Sequence, residues 1–201
     1  QHTPTDVSGL TSGVIAIDTG DLYSCAVTLT GTVKCWGGIA PSAYGYSPVD
    51  VVGLSNVVDI SAGSAHTCAL TSAGGVKCWG ANYFGQLGDG TTTQQVTPVD
   101  VIGLETGVTA ISSGQTHTCA LTTTGGVKCW GSNQEGQLGD GTTTQRLTPV
   151  NVSGIVSPIH AVSSGAHHTC ALTTSGGVKC WGNGYQVGDG THTTRLTPVD
   201  V

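Results

Sequence analysis

One block of sequence returns four times in this chain, and that repetition excludes most folds. His66-Thr67-Cys68-Ala69-Leu70-Thr71 is followed by Gly74-Gly75-Val76-Lys77-Cys78-Trp79-Gly80. The same order recurs from His117 to Gly131 and from His168 to Gly182, with a worn copy from Tyr23 to Gly37. The first cysteines of the copies, Cys25, Cys68, Cys119 and Cys170, set a period of roughly 50 residues. A unit of that size cannot bury a core alone, so it must stack on its neighbours or radiate from an axis. The chain therefore reads as a single array over residues 1–201, with repeats at about 3–46, 47–96, 97–147 and 148–201. Arrays of this kind present surfaces and seldom gather a one-off catalytic set, so no enzyme activity is expected.

Composition narrows the partners. The formal charge is −6, and charged residues make up only 9% of the chain. Ordinary globular proteins carry about 25%. The lysines come one per repeat, at Lys34, Lys77, Lys128 and Lys179. No basic cluster forms, so the electrostatic footprint of a nucleic-acid binder is missing. The polar surface must be Thr, Ser, Gly, Gln and Asn. A neutral surface of this type suits an exported protein that packs against copies of itself or other neutral surfaces. Apolar stretches are short, Val49 to Leu54 being typical. None approaches the ~20 residues that span a bilayer. The chain starts at Gln1, lacks a signal-peptide pattern and contains no Met, as expected of a processed mature product or a fragment. A true terminal Gln1 would be able to cyclise.

The eight cysteines fall into four identical Cys-x9-Cys pairs: Cys25/Cys35, Cys68/Cys78, Cys119/Cys129 and Cys170/Cys180. The segments around them are short, β-rich and separated by a Gly-containing turn. Opposing Cys68 to Cys78 also opposes Ala69 to Lys77, Leu70 to Val76 and Thr71 to Gly75, and leaves Ser72-Ala73-Gly74 as the turn. Directly opposed positions bring Cβ atoms within ~4.5–5.5 Å, near the reach of a disulfide. Zinc sites favour closer Cys spacing and more ligands per site than one hairpin offers, so metal is the weaker reading. Free thiols are the remaining alternative. Each bridge would close a short loop worth ~2–3 kcal/mol on the chain-entropy account, and four of them imply an oxidising compartment.

Within the second repeat, Val57 to Ala62, Ala65 to Thr71, Val76 to Trp79 and Val96 to Val101 read as four strands. Pro98 marks the last as an edge strand or Pro98 itself as a strand-start position. A Gly-rich loop from Gly80 to Gly90 precedes it. Alternation puts His66, Cys68 and Leu70 on one face and Thr67, Ala69, Lys77 and Trp79 on the other. Both faces carry apolar residues, as radially packed blades require. No amphipathic helical pattern of useful length appears.

The run Gly-x-x-His-Thr-Cys-Ala-Leu-Thr, Gly-Gly-Val-Lys-Cys-Trp-Gly, Gly-Gln-Leu-Gly-Asp-Gly-Thr and Thr-Pro-Val-x-Val resembles the RCC1 repeat family, in its secreted bacterial form. The resemblance covers essentially the whole chain. It implies an all-β fold of four-stranded propeller blades, stapled here by cross-strand disulfides. It does not imply one activity, because the family includes a nucleotide exchange factor, secreted inhibitor proteins and surface proteins. Relatives usually close seven blades into a ring. Four periods are present here, so the array is expected to be incomplete or open. Repeat one departs from the pattern with Gly38-Ile39-Ala40-Pro41-Ser42-Ala43-Tyr44 and with Tyr23 in place of His. Repeat four is shortened between Gly182 and Gly188.

Every residue that could do chemistry is repeated, which the fold itself explains. His66, His117 and His168 read as blade packing residues, and His167 and His192 as solvated extras. Asp89, Asp140 and Asp189, each in Gly-Asp-Gly, read as turn residues, since Ca-loop ligand spacing is absent. Trp36, Trp79, Trp130 and Trp181 read as packing between blades. Asn151-Val152-Ser153 is a lone glycosylation sequon. No cofactor or metal is expected. Thr3-Pro4-Thr5-Asp6-Val7 and Thr197-Pro198-Val199-Asp200-Val201 repeat one motif at the two ends. Thr5, Asp6 and Val7 are thus the expected counterparts of Val199, Asp200 and Val201 in head-to-tail assembly; closure into a small four-bladed propeller, with the terminal strand completing the first blade, is the main rival, and a fragment of a longer propeller is the other alternative. The expected function is an extracellular or cell-surface structural protein that joins copies of itself into a filament or ring. A monomeric, inhibitor-like or adhesive binder of another extracellular protein is the alternative.

Overall fold

A computed structural model describes residues 3–39 and 42–201. Gln1 and His2, and two residues of the atypical first-repeat loop, Ala40 and Pro41, lie outside the described residues. The chain forms four antiparallel four-stranded sheets, each a meander in chain order. Blade 1 holds β1 (Val14–Thr19), β2 (Tyr23–Thr28), β3 (Val33–Ile39) and β4 (Ser42–Asp50). Blade 2 holds β5 (Val57–Ala62), β6 (His66–Thr71), β7 (Val76–Gly80) and β8 (Gln95–Asp100). Blade 3 holds β9 (Val108–Ser113), β10 (His117–Thr122), β11 (Val127–Gly131) and β12 (Arg146–Asn151). Blade 4 holds β13 (Ile159–Ser164), β14 (His168–Thr173), β15 (Val178–Gly182) and β16 (Arg195–Asp200), with one helical turn, α1 (Gly184–Val187), in its shortened loop.

The central hairpin has the register read from the cysteine spacing. Cys68 opposes Cys78, Ala69 opposes Lys77 and Leu70 opposes Val76. The other three blades oppose Cys25 to Cys35, Cys119 to Cys129 and Cys170 to Cys180 in the same way. All four pairs, Cys25–Cys35, Cys68–Cys78, Cys119–Cys129 and Cys170–Cys180, are bridged, each with Cα atoms 4.1 Å apart. Among the described residues no cysteine is free, so the free-thiol and metal alternatives both fall. Gly74 closes the turn at φ +79°, and a Cβ there would lie 2.9 Å from the Gly107 nitrogen of the next blade. The turn glycine is therefore required twice, by its dihedral and by the close approach of its neighbour.

The sheets differ from the sequence-drawn repeats in phase. The segments Ser47–Asp50, Thr97–Asp100, Thr148–Asn151 and Thr197–Asp200 each lie in the fourth strand of the blade before them, so borders drawn at 46, 96 and 147 cut through outer strands. Pro98 sits in the outer strand β8, where a missing N–H costs no ladder bond. In blade 1 the pairing of β3 and β4 runs on through Gly38↔Ala43 and Ile39↔Ser42, so a hairpin replaces the Gly-rich loop of the other blades. Blade 1 is thereby complete without the chain terminus. β16 pairs with β15 of its own blade, which removes the rival in which the terminal strand completes blade 1. Thr3 to Val7 lies outside any strand.

First strands of successive blades contact one another, β1 with β5, β5 with β9 and β9 with β13, so they form the inner side of the array. Among the described residues, three apolar cores lie between blades and none within a single blade. Each blade is thus half of a joint.

Candidate interaction surfaces

The joint between blades 2 and 3 is representative. Blade 2 offers what we term its leading face: Cys68, Leu70, Val76 and Cys78, lipped by Leu87, Val101 and Leu104. Blade 3 inserts its trailing face, Val108, Ile111, Ala120 and Trp130. The Trp130 indole N–H donates to the Gln86 carbonyl at 2.9 Å. Gly88, at φ +70°, forms the floor under the ring. A Cβ there would stand 2.8 Å from Trp130 Nε1, so only glycine leaves room for the indole. At the outer end, the Val108 N–H donates to the Gly74 carbonyl at 3.1 Å. At the inner end, the Ser113 N–H donates to Ser61 Oγ at 2.9 Å. Blades 3 and 4 repeat every element: Trp181 to Gln137 O, Ile159 N to Gly125 O, and Ser164 N to Ser112 Oγ.

The disulfides belong to these joints rather than to any separate site. Cys25 and Cys35 lie in the core between blades 1 and 2, and Cys119 and Cys129 in the core between blades 3 and 4. Each bridge therefore staples a leading face and packs against the next blade. Only the last bridge has no blade in front of it, and there Cys180 is buried while Cys170 is half-buried.

A buried polar triad completes each of the two later joints. The Thr118 hydroxyl donates to Gln86 O at 3.0 Å and lies 2.8 Å from His66 Nε2. Thr118 has a single hydroxyl proton and gives it to the carbonyl, so His66 must donate from Nε2. His66 Nδ1 is then a bare acceptor with no partner, and His117 Nδ1 is placed the same way. Adding a proton there would put a charge into a buried joint with no protein group to receive the N–H. Burial accordingly lowers His66 to about 4 and His117 to about 3, the latter with a smaller push from His66, His168 and His167. These histidines are neutral structural donors. In blade 1, Tyr23 takes over, its hydroxyl donating to His66 O at 2.6 Å and accepting from Thr67.

The Gly-Asp-Gly carboxylates shape the loop that carries the accepting carbonyl. Asp140 Oδ1 accepts from the Thr142 N–H and hydroxyl and from Asn133 Nδ2, while Oδ2 accepts from Arg146. Burial acts to raise this carboxyl, and the hydrogen bonds from Thr142, Arg146 and Asn133 outweigh it, leaving it below its ordinary value. Asn133 Oδ1 accepts from the Leu138 N–H at 3.0 Å. Asn82, Asn133 and the main-chain carbonyls of Gln86 and Gln137 are the joint-building groups that sequence reasoning missed. A carbonyl leaves no trace in a sequence, although the recurring Asn shortly after Trp-Gly was a signal.

The two outer faces of the array keep this chemistry without its partner. Ile17, on the trailing face of blade 1, is 61% exposed, against 4% for its equivalent Ile60. On the leading face of blade 4, Val178 is 42% and Val201 59% exposed, against 1% for Val76 and 0% for Val101. Trp36 is half-buried where Trp79, Trp130 and Trp181 are fully buried. His168 is half-buried and pairs through Nδ1 with Gln186 Oε1 at 3.2 Å.

Of the expected assembly ends, Thr5 and Asp6 are exposed and Val7 half-buried, outside any strand, while Asp200 pairs with Lys179 at 2.6 Å. Val201 belongs to the open face of blade 4, following Val199 in β16. Asn151 is exposed at the end of β12 opposite Lys128. His167 and His192 are exposed, His192 with its ring 4.8 Å from that of Tyr185. Among the described residues no group of three or more His, Cys, Asp or Glu is placed to hold a metal, and no helix is long and apolar enough to cross a membrane. The inner ends of all four blades meet at a cavity of about 260 Å³ edged by Asp21, Ser64, Gln115 and main chain.

Two family models described as Regulator of chromosome condensation (RCC1) repeat match this chain. One covers residues 57–86, 108–137 and 159–186, the other 73–121 and 124–172. The Ultraviolet-B receptor UVR8 of Arabidopsis thaliana is 38% identical over 103 residues, which are 50% of this chain and 23% of the receptor. The human E3 ubiquitin-protein ligase HERC2 is 30% identical over 175 residues, 86% of this chain and 3% of the ligase. The chain therefore spans under a quarter of either relative. The crystal structure of Prp20p from Saccharomyces cerevisiae superposes on all of this chain and 53% of its own, with a TM-score of 0.88 at 22% identity. Human WBSCR16 does so over 94% of this chain and 52% of its own, with a TM-score of 0.82 at 22% identity. With a recurring joint built on the repeated His-Thr, Trp-Gly and Gly-Gln-Leu-Gly-Asp-Gly residues, this chain belongs to the RCC1 repeat family of β-propeller proteins.

Proposed function

We propose that this chain is an extracellular, non-catalytic interaction protein that joins copies of itself head to tail. The observation that carries the reading is the pair of open blade faces, apolar and complementary in kind, at opposite ends of an array with low charge. An exposed apolar sheet face recruits a partner, and with only 9% charged residues a contact between copies has few charges to desolvate. A heterologous contact closes into a ring or continues as a filament, depending on its rotation. Four disulfides support an oxidising, extracellular setting. Light scattering and negative-stain imaging of the native protein test the reading. Mass should rise in multiples of the monomer with concentration, and discrete monomers persisting at high concentration would overturn it.

A second reading is a monomeric protein-binding module. It is favoured by the likeness to Prp20p, whose crystallographic study concerned binding to Gsp1p and histones, and which has also been crystallised with Kap60. A stable monomer that retains a partner protein at its blade faces supports that reading instead.

A further inference from the structure

We propose that a pocket formed by the loops of blades 2, 3 and 4 receives a lysine or arginine side chain of a partner protein. In an antiparallel meander, the turn between the first two strands and the loop between the last two fall at the same end of the blade. Those ends make one surface of the array. The blade framework is repeated, but its tips on this surface are not. Gln115-Thr116 and Gln134-Glu135 of blade 3 stand where blade 2 has Ser64-Ala65 and Tyr83-Phe84. Varied loop tips on a constant scaffold are where binding functions concentrate. Here they enclose a pocket of about 270 Å³ lined by Phe84 of blade 2, Gln115, Gln134 and Glu135 of blade 3, and His167 of blade 4. All its lining residues belong to these three blades, so neither end of the chain bounds it. The pocket is smaller than the ~300–1,000 Å³ of a drug-sized ligand site, and its size suits a single side chain. The proposal goes beyond self-association and does not depend on it.

The main chain around the pocket is fixed before any ligand arrives. The Phe84 N–H donates to Gln86 Oε1 at 3.0 Å and the Glu135 N–H to Gln137 Oε1 at 2.9 Å, and both glutamines are buried. The Ser132 N–H donates to the Thr116 carbonyl at 2.9 Å, which ties loop to turn. Glu135 Oε2 accepts from Asn183 Nδ2 of blade 4 at 3.2 Å, so the half-buried carboxylate is held in place by a neutral group. The chain has no cation to give it. Of its six Lys and Arg, Lys34, Lys77, Arg146, Lys179 and Arg195 pair with Asp, and Lys128 stands opposite Asn151 in the outer strands of blade 3. The counter-charge must come from outside. An ammonium or guanidinium supplies it, and finds an aromatic ring in Phe84 for its charge or its methylene stem. The side-chain carbonyls of Gln115 and Gln134 are further acceptors. A neutral sugar would take water from the carboxylate and return no charge. Because the carboxylate is already ordered, little freedom is lost on binding, and the net charge of −6 favours the approach of a cation.

NMR titration of the isotope-labelled full chain with the capped tripeptides Gly-Lys-Gly and Gly-Arg-Gly tests the pocket. One charged side chain should bind in the millimolar range and shift the resonances of Phe84, Gln115, Gln134 and Glu135. The capped peptide Gly-norleucine-Gly, which keeps the stem and loses the charge, should shift none of them. Glu135→Gln keeps an acceptor for Asn183 and should weaken both charged peptides at least ~10-fold, the scale of a hydrogen bond to a charged group. Glu105→Gln changes the net charge equally, in the connection between β8 and β9, and should leave binding as it is. The spectrum of each variant away from the substitution checks that its blades are intact. Equal binding by the parent and Glu135→Gln overturns the proposal, as does the absence of shifts at these residues with either charged peptide. If methyl glycosides shift the pocket and the peptides do not, it is a sugar site and the proposal falls. If putrescine binds more tightly than both peptides, the ligand is a free amine rather than a protein side chain, and the proposal falls again. Light scattering reads self-association separately, so the failure of either reading leaves the other standing.

Discussion

His117 and His168 occupy one position in adjacent blades of nearly identical sequence, yet only the first is sealed. His117 lies in the joint between blades 3 and 4, with Thr169 on its Nε2 and nothing on its Nδ1. His168 lies on the outer face of blade 4, half-buried. Trp130 and Trp36 make the same comparison from the other side of the joint. The blade itself is a constant, and burial is conferred by the neighbour. Identical repeats can therefore carry unequal stability, with the middle blades held on two faces and the outer ones on one, as expected of a nearest-neighbour array.

The sharpest way to break that comparison is to truncate both tryptophans. Trp130→Ala empties a sealed socket and should cost about 3–5 kcal/mol, the range for removing a large buried aromatic. Trp36→Ala in the monomer should cost well under half of that, because its ring has little to lose. Denaturant unfolding of dilute monomer measures both. Equal losses would mean that the outer face is as well packed as the joints.

Acid probes the same difference through the histidines. The folded chain holds His66 near 4 and His117 near 3, well below the ordinary value of ~6.5 that an unfolded chain would show. The unfolded chain thus binds protons first as pH falls. The contribution from each neutral histidine is full above about pH 6.5 and is lost progressively below it, down to the folded values. At pH 5 the loss should be about 2 kcal/mol per sealed histidine. Unfolding measured from pH 7.5 to 4.5 should show this slope, and His117→Gln should reduce it by about half. An unchanged slope in His117→Gln would show that the joint admits water.

These joints also mark how far the sequence could be read. The hairpin register followed from the spacing of Cys68 and Cys78, because directly opposed positions are the ones a bridge of that length spans. The same spacing carried Cys25–Cys35, Cys119–Cys129 and Cys170–Cys180. What it could not show is that three of these bridges are walls of inter-blade cores. The four strands followed from alternation and turn residues. The packing role of Trp79, Trp130 and Trp181 followed from their recurrence. The partner groups did not, because Gln86 O and Gln137 O are main-chain atoms. The phase of the blades was also hidden, since the Thr-Pro-Val-Asp motif looks equally like the start of one repeat and the end of another. Only the pairing of Cys78 with Val99 and Lys77 with Asp100 assigns it to the earlier blade. The same ambiguity made Thr5-Asp6-Val7 look like a strand, although no described strand pairs with it.

The smallest effect belongs to the outermost edge. Lys34, Lys77 and Lys179 each meet a carboxylate on the fourth strand, Asp50, Asp100 and Asp200, at 2.6–2.7 Å. Blade 3 breaks the rule, because Asn151 stands opposite Lys128. Asn151→Asp should restore the pair and remove the sequon in one step. The carboxylates of the existing pairs are mostly exposed, at 66–85%, so water screens the attraction and the gain should be only about 0.2–1 kcal/mol. That gain should vanish in molar salt, where the screening length falls to about 3 Å. Thermal unfolding of the unglycosylated protein at low and high salt reads it directly. A gain that survives high salt would instead come from the strand end itself, and the edge pairs of the other three blades would then contribute little to holding β4, β8 and β16 in place.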